Sequence, residues 1–441
     1  DDGGAVARPG LQRGWSAKVV LPTQSMGENH LVYICNISKS GVQQLGADLA
    51  ANGKAEKLEL RHSYVGPEGT ALLAEGLATN DGLRSLNLRN SEVGDHGAVA
   101  LGTKLVTQTT LQDLNLCTNG IGDIGAEALA SYLRSSKTIR SLLLRDNRIG
   151  RRGGRNLGEA LRENSSLQTL ALGINDLADD GAKYISEAIV ANPLCLLRNL
   201  DLGTNSVTDV GCEDLHLALK REGCAIERLE LRNNRIGDEG IRHICEAMTL
   251  NTSSKLKDLD MSMNAVGDPG AESLALMLLK NTVLQQLKLQ DNFITDEGAE
   301  EMLRLMTRGA TPSETSIGLQ LIKLDMGGNL LSETETLKFN IFMKTHAQDL
   351  KNRKGNGGMR RRTQGTSKLS VDSGGGSMRA DTKTSVGTRT TSKGAESDAS
   401  GEGRKKKVKD DRPAAPPKIA KSGNVVPDHV IAELKGGGGR K

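Results

Sequence analysis

Aromatic residues are nearly absent from this sequence, 2% of 441 positions, which excludes a core built on ring clusters and leaves Leu, Ile, Val and Ala to fill it. Cysteine is sparse as well. The six (Cys35, Cys117, Cys195, Cys212, Cys224 and Cys245) show no Cys-x-x-Cys and no even framework, so a disulfide scaffold is excluded and reduced thiols in an intracellular protein are expected. No stretch approaches the roughly 18 uninterrupted apolar residues of a membrane helix. No G-x-x-x-x-G-K-[ST] phosphate loop occurs, and the seven histidines do not fall at metal-ligand spacing along the chain. His243 beside Cys245 reads as structural rather than as a zinc pair. Neither a cofactor nor a metal is expected. The first residue is Asp1 rather than Met, which leaves a preceding segment and any targeting signal in it open.

What is present is repetition. The pattern L-x-x-L-x-L-x-x-N ends at Asn119, Asn147, Asn175, Asn205, Asn234, Asn264, Asn292 and Asn329, and two earlier copies carry Ser63 and Ser91 at that place. Successive spacings are 28, 28, 28, 28, 30, 29, 30, 28 and 37. The ten copies therefore keep a period of 28 to 30 residues, with one insertion before the last. Alternation in Leu114, Asn115 and Leu116 predicts a short strand with both leucines inward. The asparagine closes the turn, and its amide is suited to a ladder of hydrogen bonds between copies. Ile-Gly-Asp-x-Gly then reads as a turn and helix entry, with Asp123 or Asp238 suited to capping. In the helix that follows, Ala126, Leu129, Ala130 and Leu133 share one face.

This unit resembles the ribonuclease-inhibitor subtype of leucine-rich repeat, as found in ribonuclease inhibitors, in the sensing arms of NOD-like receptors and in Ran GTPase-activating proteins. The resemblance implies an α/β fold: a right-handed leucine-rich-repeat solenoid, a βα horseshoe with a parallel inner sheet and outer helices. One unit cannot bury its apolar face alone, so copies must stack. Strands pack about 4.8 Å apart and helices about 8 to 10 Å, so the stack bends with the strands inside. The expected organisation is a disordered leader over 1–30, an N-terminal cap over 31–54 with a degenerate strand and helix, and repeats over 55–331. A capping helix over 332–351 begins with a Ser332 and Glu335 capping box. A disordered basic tail spans 352–441.

Residues alternating with the buried leucines line the concave face. One column runs Glu59, Asn87, Asn115, Leu143, Ala171, Asp201, Glu230, Asp260, Lys288 and Asp325, and the next contains Arg61, Arg89, Cys117, Arg145, Gly173, Gly203 and Arg232. The charged members Glu59, Arg61, Arg89, Arg145, Asp201, Glu230, Arg232, Asp260, Lys288 and Asp325 form the candidate partner-binding site. Ala171, Gly173, Ile174, Gly203 and Thr204 form a bare centre where a partner is expected to approach the backbone. The alternative is that these charges only solvate an exposed sheet. Cys117 on this face is not expected to be catalytic.

Charge is split along the chain. From residue 351 onward there are 22 Lys and Arg against 9 Asp and Glu, leaving 36 against 45 for residues 1 to 350. Within the tail, Arg404, Lys405, Lys406, Lys407 and Lys409 resemble a monopartite nuclear localisation signal, and the same cluster suits a nucleic acid, another acidic polymer or an anionic membrane. It also reads as a solvated tail with incidental charge.

These features point to a non-catalytic interaction scaffold with a protein partner on the concave face. The alternative is an activator of the Ran GTPase-activating type, for which Arg61 and Arg89 are the first arginines to test. The basic tail departs from the acidic segment typical of that family. A ribonuclease inhibitor proper is expected to be far richer in cysteine, and a full NOD-like receptor would need the missing phosphate loop.

Overall fold

The computed structural model describes residues 31–33, 37, 39–51, 55–307 and 320–363. The expected leader, the residues around the insertion between 308 and 319, and the tail cluster Arg404 to Lys409 lie outside them.

Strict alternation over three residues gives each repeat a minimal strand. The strands are β1 (Leu31–Tyr33), β2 (Lys57–Glu59), β3 (Ser85–Asn87), β4 (Asp113–Asn115), β5 (Ser141–Leu143) and β6 (Thr169–Ala171). They continue with β7 (Asn199–Asp201), β8 (Arg228–Glu230), β9 (Asp258–Asp260), β10 (Gln286–Lys288) and β11 (Lys323–Asp325). All eleven pair in parallel and in chain order within one sheet. Each central leucine opposes the next, as Leu142 opposes Leu170. From Leu58 to Leu287 these central leucines are buried, as are the second leucines such as Leu116 and Leu144.

The returning segments are helices: α1 (Lys39–Ala51), α2 (Gly66–Ala78), α3 (Gly94–Lys104), α4 (Asp123–Ser135), α5 (Arg151–Leu161) and α6 (Ala178–Ala191). After them come α7 (Asp209–Lys220), α8 (Asp238–Leu250), α9 (Asp268–Lys280), α10 (Asp296–Thr307) and α11 (Glu333–Thr363). The chain is thus an α/β leucine-rich-repeat solenoid, with one continuous aliphatic core between the sheet and the helices. The end of α11 lies past residue 351, where the sequence places the end of the capping helix. Ser332 Oγ accepts from the Glu335 amide at 3.2 Å, and Phe339 is buried against the last repeat.

Two hydrogen-bond ladders lock repeat to repeat. In the first, Asn119 Nδ2 donates to Leu88 O of the preceding copy at 2.8 Å, and its Oδ1 accepts from the Ser91 and Val93 amides at 2.9 and 3.2 Å. Asn147, Asn175, Asn205, Asn234, Asn264, Asn292 and Asn329 each likewise donate to a carbonyl one copy back.

The second ladder corrects a local expectation. The aspartates at the helix starts do not cap their own helices. Each reaches forward to the next one: Asp123 Oδ1 accepts from the Gly150 and Gly153 amides at the start of α5, at 2.7 and 2.8 Å. Asp95, Asp179, Asp209 and Asp238 repeat the contact. The reason is that free N–H groups at a helix N-terminus attract a carboxylate, and the one that stacking delivers sits a repeat earlier. From α3 onward the ladder breaks once, at Arg151, where α5 offers no aspartate; α2 likewise carries Pro67 at that place, and no side chain caps α3. No side chain caps α6. Arg151 instead forms an ion pair with Asp180 at 3.3 Å, and Arg162 pairs with Glu187 at 2.8 Å.

The residue before each asparagine adopts positive φ. Some copies place there a residue that tolerates it, such as Asn90, Asp146, Asn233 or Gly328. Three copies have a β-branched residue, Thr118, Ile174 and Thr204, and Ile174, at φ 56, is 39% exposed. A non-glycine residue in this region costs roughly 1 to 2 kcal/mol, more for a β-branched one than for Asn. Ile174→Asn is therefore expected to stabilise the protein by about 1 kcal/mol, read as a higher urea midpoint at unchanged slope. A lower midpoint would show that Ile174 packing outweighs its backbone strain.

Candidate interaction face

Because every strand pairs without a shift, the last residues of the strands stand in a row across the sheet. Asp201, Glu230 and Asp260 are direct neighbours on β7, β8 and β9, followed by Lys288 on β10 and Asp325 on β11. Three carboxylates on adjacent strands repel one another and must be compensated.

Two cations do so unequally. Arg145, which follows β5, reaches across the intervening β6 coil to Asp201, with Nη1 2.7 Å from Oδ2. Lys288 Nζ lies 2.7 Å from Asp260 Oδ2. Asp201 also accepts from the Gly203 amide at 2.9 Å, and Asp260 from the Ser262 amide at 3.1 Å. Glu230, between them, has only Arg145 at 4.0 Å. Burial, then Asp201 and Asp260, push its carboxyl above the usual carboxylate range. Asp260 is also penalised by burial, but its bonds from Lys288 and Ser262 prevail and hold it below that range.

The bare centre is not open backbone. A Cβ on Gly173 would sit 2.6 Å from the Asp201 carboxylate, and one on Gly203 would sit 2.9 Å from Arg232 Cγ. Gly173 and Gly203 make room for side chains of the following repeats, so the expected close approach of a partner is corrected at these two positions. The open space spans the coils from Cys117 to Glu230 and has Ala171 in its lining. A shallow hollow has Cys117, Leu143 and Ala171 along one part of its lining and Arg145, Asp201, Arg228 and Glu230 along another. Burial raises the Cys117 thiol in spite of Arg89 and Arg145, which leaves it a poor nucleophile at neutral pH.

The remaining members of the predicted set stand apart. Glu59 accepts from Asn87 at 2.7 Å and lies 3.8 Å from Arg61. Asp325 lies 3.8 Å from Lys323 at the far end. Arg89 and Arg232 are exposed and form no ion pair among the described residues; an Arg232 amino group is 3.9 Å from Met263 Sδ. The sequence reading omitted a third outward column, formed by the first residue of each strand. It contains Arg228, which donates to Asp258 Oδ2 through Nε and Nη2 at 3.0 and 2.9 Å. The same two-residue alternation that exposes Glu230 exposes Arg228.

A family model described as Leucine Rich repeat matches residues 82–102, 107–130, 163–186, 225–245, 252–275 and 280–303. Ribonuclease inhibitor from Sus scrofa is 32% identical over 111 residues, 25% of this chain and 24% of that protein. NACHT, LRR and PYD domains-containing protein 12 from Mus musculus is 33% identical over 25% of this chain and 10% of that protein. Protein phosphatase 1 regulatory subunit 37 homolog from Caenorhabditis briggsae is 33% identical over 21% of this chain and 10% of that protein. The chain thus spans a quarter or less of the length of each of these relatives.

Proposed function

We propose that this chain, a leucine-rich repeat protein of the ribonuclease-inhibitor subtype, is a non-catalytic scaffold that holds a protein partner on the sheet face of its solenoid. The observation that carries this reading is Glu230: a half-buried carboxylate between two acidic neighbours, beside a hollow with apolar lining, and short of one positive charge. A Lys or Arg from a partner supplies that charge, and its apolar stem covers Leu143 and Ala171. The hollow is shallow and opens onto a sheet eleven strands long, which favours a protein surface over a small molecule. Arg89 and Arg232 offer cations on either side of it for acidic groups of the same partner. The relatives named as an inhibitor and a regulatory subunit fit an interaction role.

The linkage follows from the direction of the shift. A carboxyl raised by folding adds stability below its unfolded pKa and loses it as pH rises through the folded value, so at neutral pH the ionised Glu230 is a cost. Glu230→Gln is expected to leave the protein as stable as before or slightly more so at pH 7, yet to weaken the partner about tenfold. Wild-type affinity should fall as pH is lowered through the range where Glu230 takes up its proton.

The test immobilises the full chain, Glu230→Gln, Arg232→Glu and a chain ending at Thr363, each checked for its melting temperature. Proteins retained from a lysate at physiological salt are then identified. Loss of the same protein in both sheet variants, and its retention by the shortened chain, supports the reading. Retention by the sheet variants with loss on shortening assigns recognition to the basic tail. Arg89, exposed and without an ion pair among the described residues, keeps the Ran-type GTPase activator as a second reading. Stimulated GTP hydrolysis that Arg89→Ala abolishes would establish it.

A further inference from the structure

We propose that α7 and α8 together hold a divalent metal ion on the helical side of the solenoid, with His216, His243 and Glu246 as ligands and zinc as the ion that fits them. One candidate ligand atom from each residue lies within 4.8 Å of the other two, and this is the one such group of three among the described residues. His243 and Glu246 are three apart on α8 and so share a face. His216 comes from α7, one repeat earlier. Chain spacing gives no hint of the cluster, because only stacking of the copies assembles it.

The hydrogen bonding of His216 prepares it for a metal. Its Nδ1 lies 3.0 Å from the backbone oxygen of His243. A carbonyl only accepts, so Nδ1 carries the hydrogen and donates it, and in the neutral ring Nε2 then holds the lone pair. Ligating imidazoles are commonly fixed in this way, one nitrogen tied to a carbonyl and the other on the ion. The His216 and His243 rings meet edge to face, at 84° and 6.1 Å between centroids, so they do not stack face to face.

Burial and charge agree with this assignment. Both histidines are half-buried and Glu246 is exposed. Two ligands are thus held by the helix pair, and the third is free to close over an ion arriving from solvent. Glu246 has Arg242 3.6 Å away, but that guanidinium also holds Glu239 at 2.8 Å and keeps a partner if Glu246 turns away. Zinc holds nitrogen and oxygen donors at about 2.0 to 2.2 Å, hence about 3.4 Å from one another in a tetrahedron, so each side chain must move by about an ångström. Two imidazoles and one carboxylate suit zinc, whereas calcium takes six to eight oxygens. Cys245 is next to Glu246 in sequence but is buried in the core. Three protein ligands leave a fourth position for water or for a donor from a bound protein.

The experiment titrates the full chain, stripped with EDTA and dialysed, with zinc sulfate by calorimetry, alongside its melting temperature. One saturable ion per chain and a rise in melting temperature are expected. Both should weaken by about 100-fold in ion concentration in His216→Gln/His243→Gln, whose metal-free melting temperature shows that it folds. If that variant does not fold, Glu246→Gln, altered at an exposed position, is read in the same way. Cobalt(II) in place of zinc should give visible bands of a tetrahedral nitrogen and oxygen site without a thiolate charge-transfer band. Absence of saturable binding, binding unchanged in the variants, or a thiolate band from the cysteines would each overturn the assignment.

Discussion

Asn119→Ala is expected to lower the free energy of unfolding by about 4 kcal/mol, a large part of the 5 to 15 kcal/mol typical of a folded domain. The Asn119 amide is 5% exposed and satisfies four backbone groups: it donates to Leu88 O and Cys117 O, and accepts from the Ser91 and Val93 amides. Alanine leaves all four without that partner. Ser91, Val93 and Leu88 are fully buried, so water cannot easily replace it, and each orphaned buried group costs about 1 to 3 kcal/mol. Asn87→Ala, on the open sheet face, loses its bond to Glu59 and that from the amide of exposed Arg89, which water can replace, and should cost under about 1 kcal/mol. Urea unfolding followed by circular dichroism compares the two. Similar losses for both would mean that the ladder adds no more than a surface contact.

The second large effect belongs to the forward caps. Asp209 Oδ1 accepts from the Gly237 and Gly240 amides at 2.7 and 2.9 Å, at the start of α8. Asp209→Ala removes two charge-assisted bonds and a favourable charge at a helix N-terminus, and about 3 kcal/mol of stability is expected to go with them. Asp209→Asn keeps an oxygen acceptor and should recover most of the loss. Amide exchange locates the damage: the first turn of α8 should lose protection while α7, which carries the mutation, keeps its own. Exposure of α7 alone would return Asp209 to the ordinary role of capping its own helix.

That last point marks where the sequence stops being legible. The leucines and asparagines are readable because the strand fixes a period of two and stacking fixes a period of about 28, so any copy can be laid on the next. Ten copies, one parallel sheet and the rows containing Glu230 and Asp260 follow from that alone. Destination of side chains is another matter. Arg145 finds Asp201 two strands away because Gly173 between them has no side chain, and the consensus leaves the composition of those outward positions open. Another tie escaped because its residue type varies. Asn164 and Asn251 donate to the carbonyls that end the preceding helices, at 2.7 and 2.8 Å, while Gln108 and Ser136 stand at the like place in other copies. His216 and His243 occupy different positions within their own repeats, so alignment of the copies does not match them. Each of these contacts depends on the offset between adjacent coils, which sequence periodicity does not encode.

The break at Arg151 sets one seam inside the solenoid apart from the seams on either side of it. At the other seams from α3 to α10 a half-buried carboxylate is bonded to backbone amides, and dissolved ions compete poorly for it. Between α5 and α6 that carboxylate is missing, and exposed ion pairs such as those of Arg151 and Arg162 stand in its place. The screening length falls from about 10 Å at 0.1 M salt to about 3 Å at 1 M, so concentrated salt is expected to weaken this junction more than those that add a bonded carboxylate to their own exposed ion pairs. Asn175 and Asn192 still donate across the seam to Leu144 O and Leu161 O, so salt is expected to loosen the contact between its two sides without parting them. The hollow beside Glu230 draws its lining from both, so ionic strength would reach a bound partner through the scaffold as well as through its own charges.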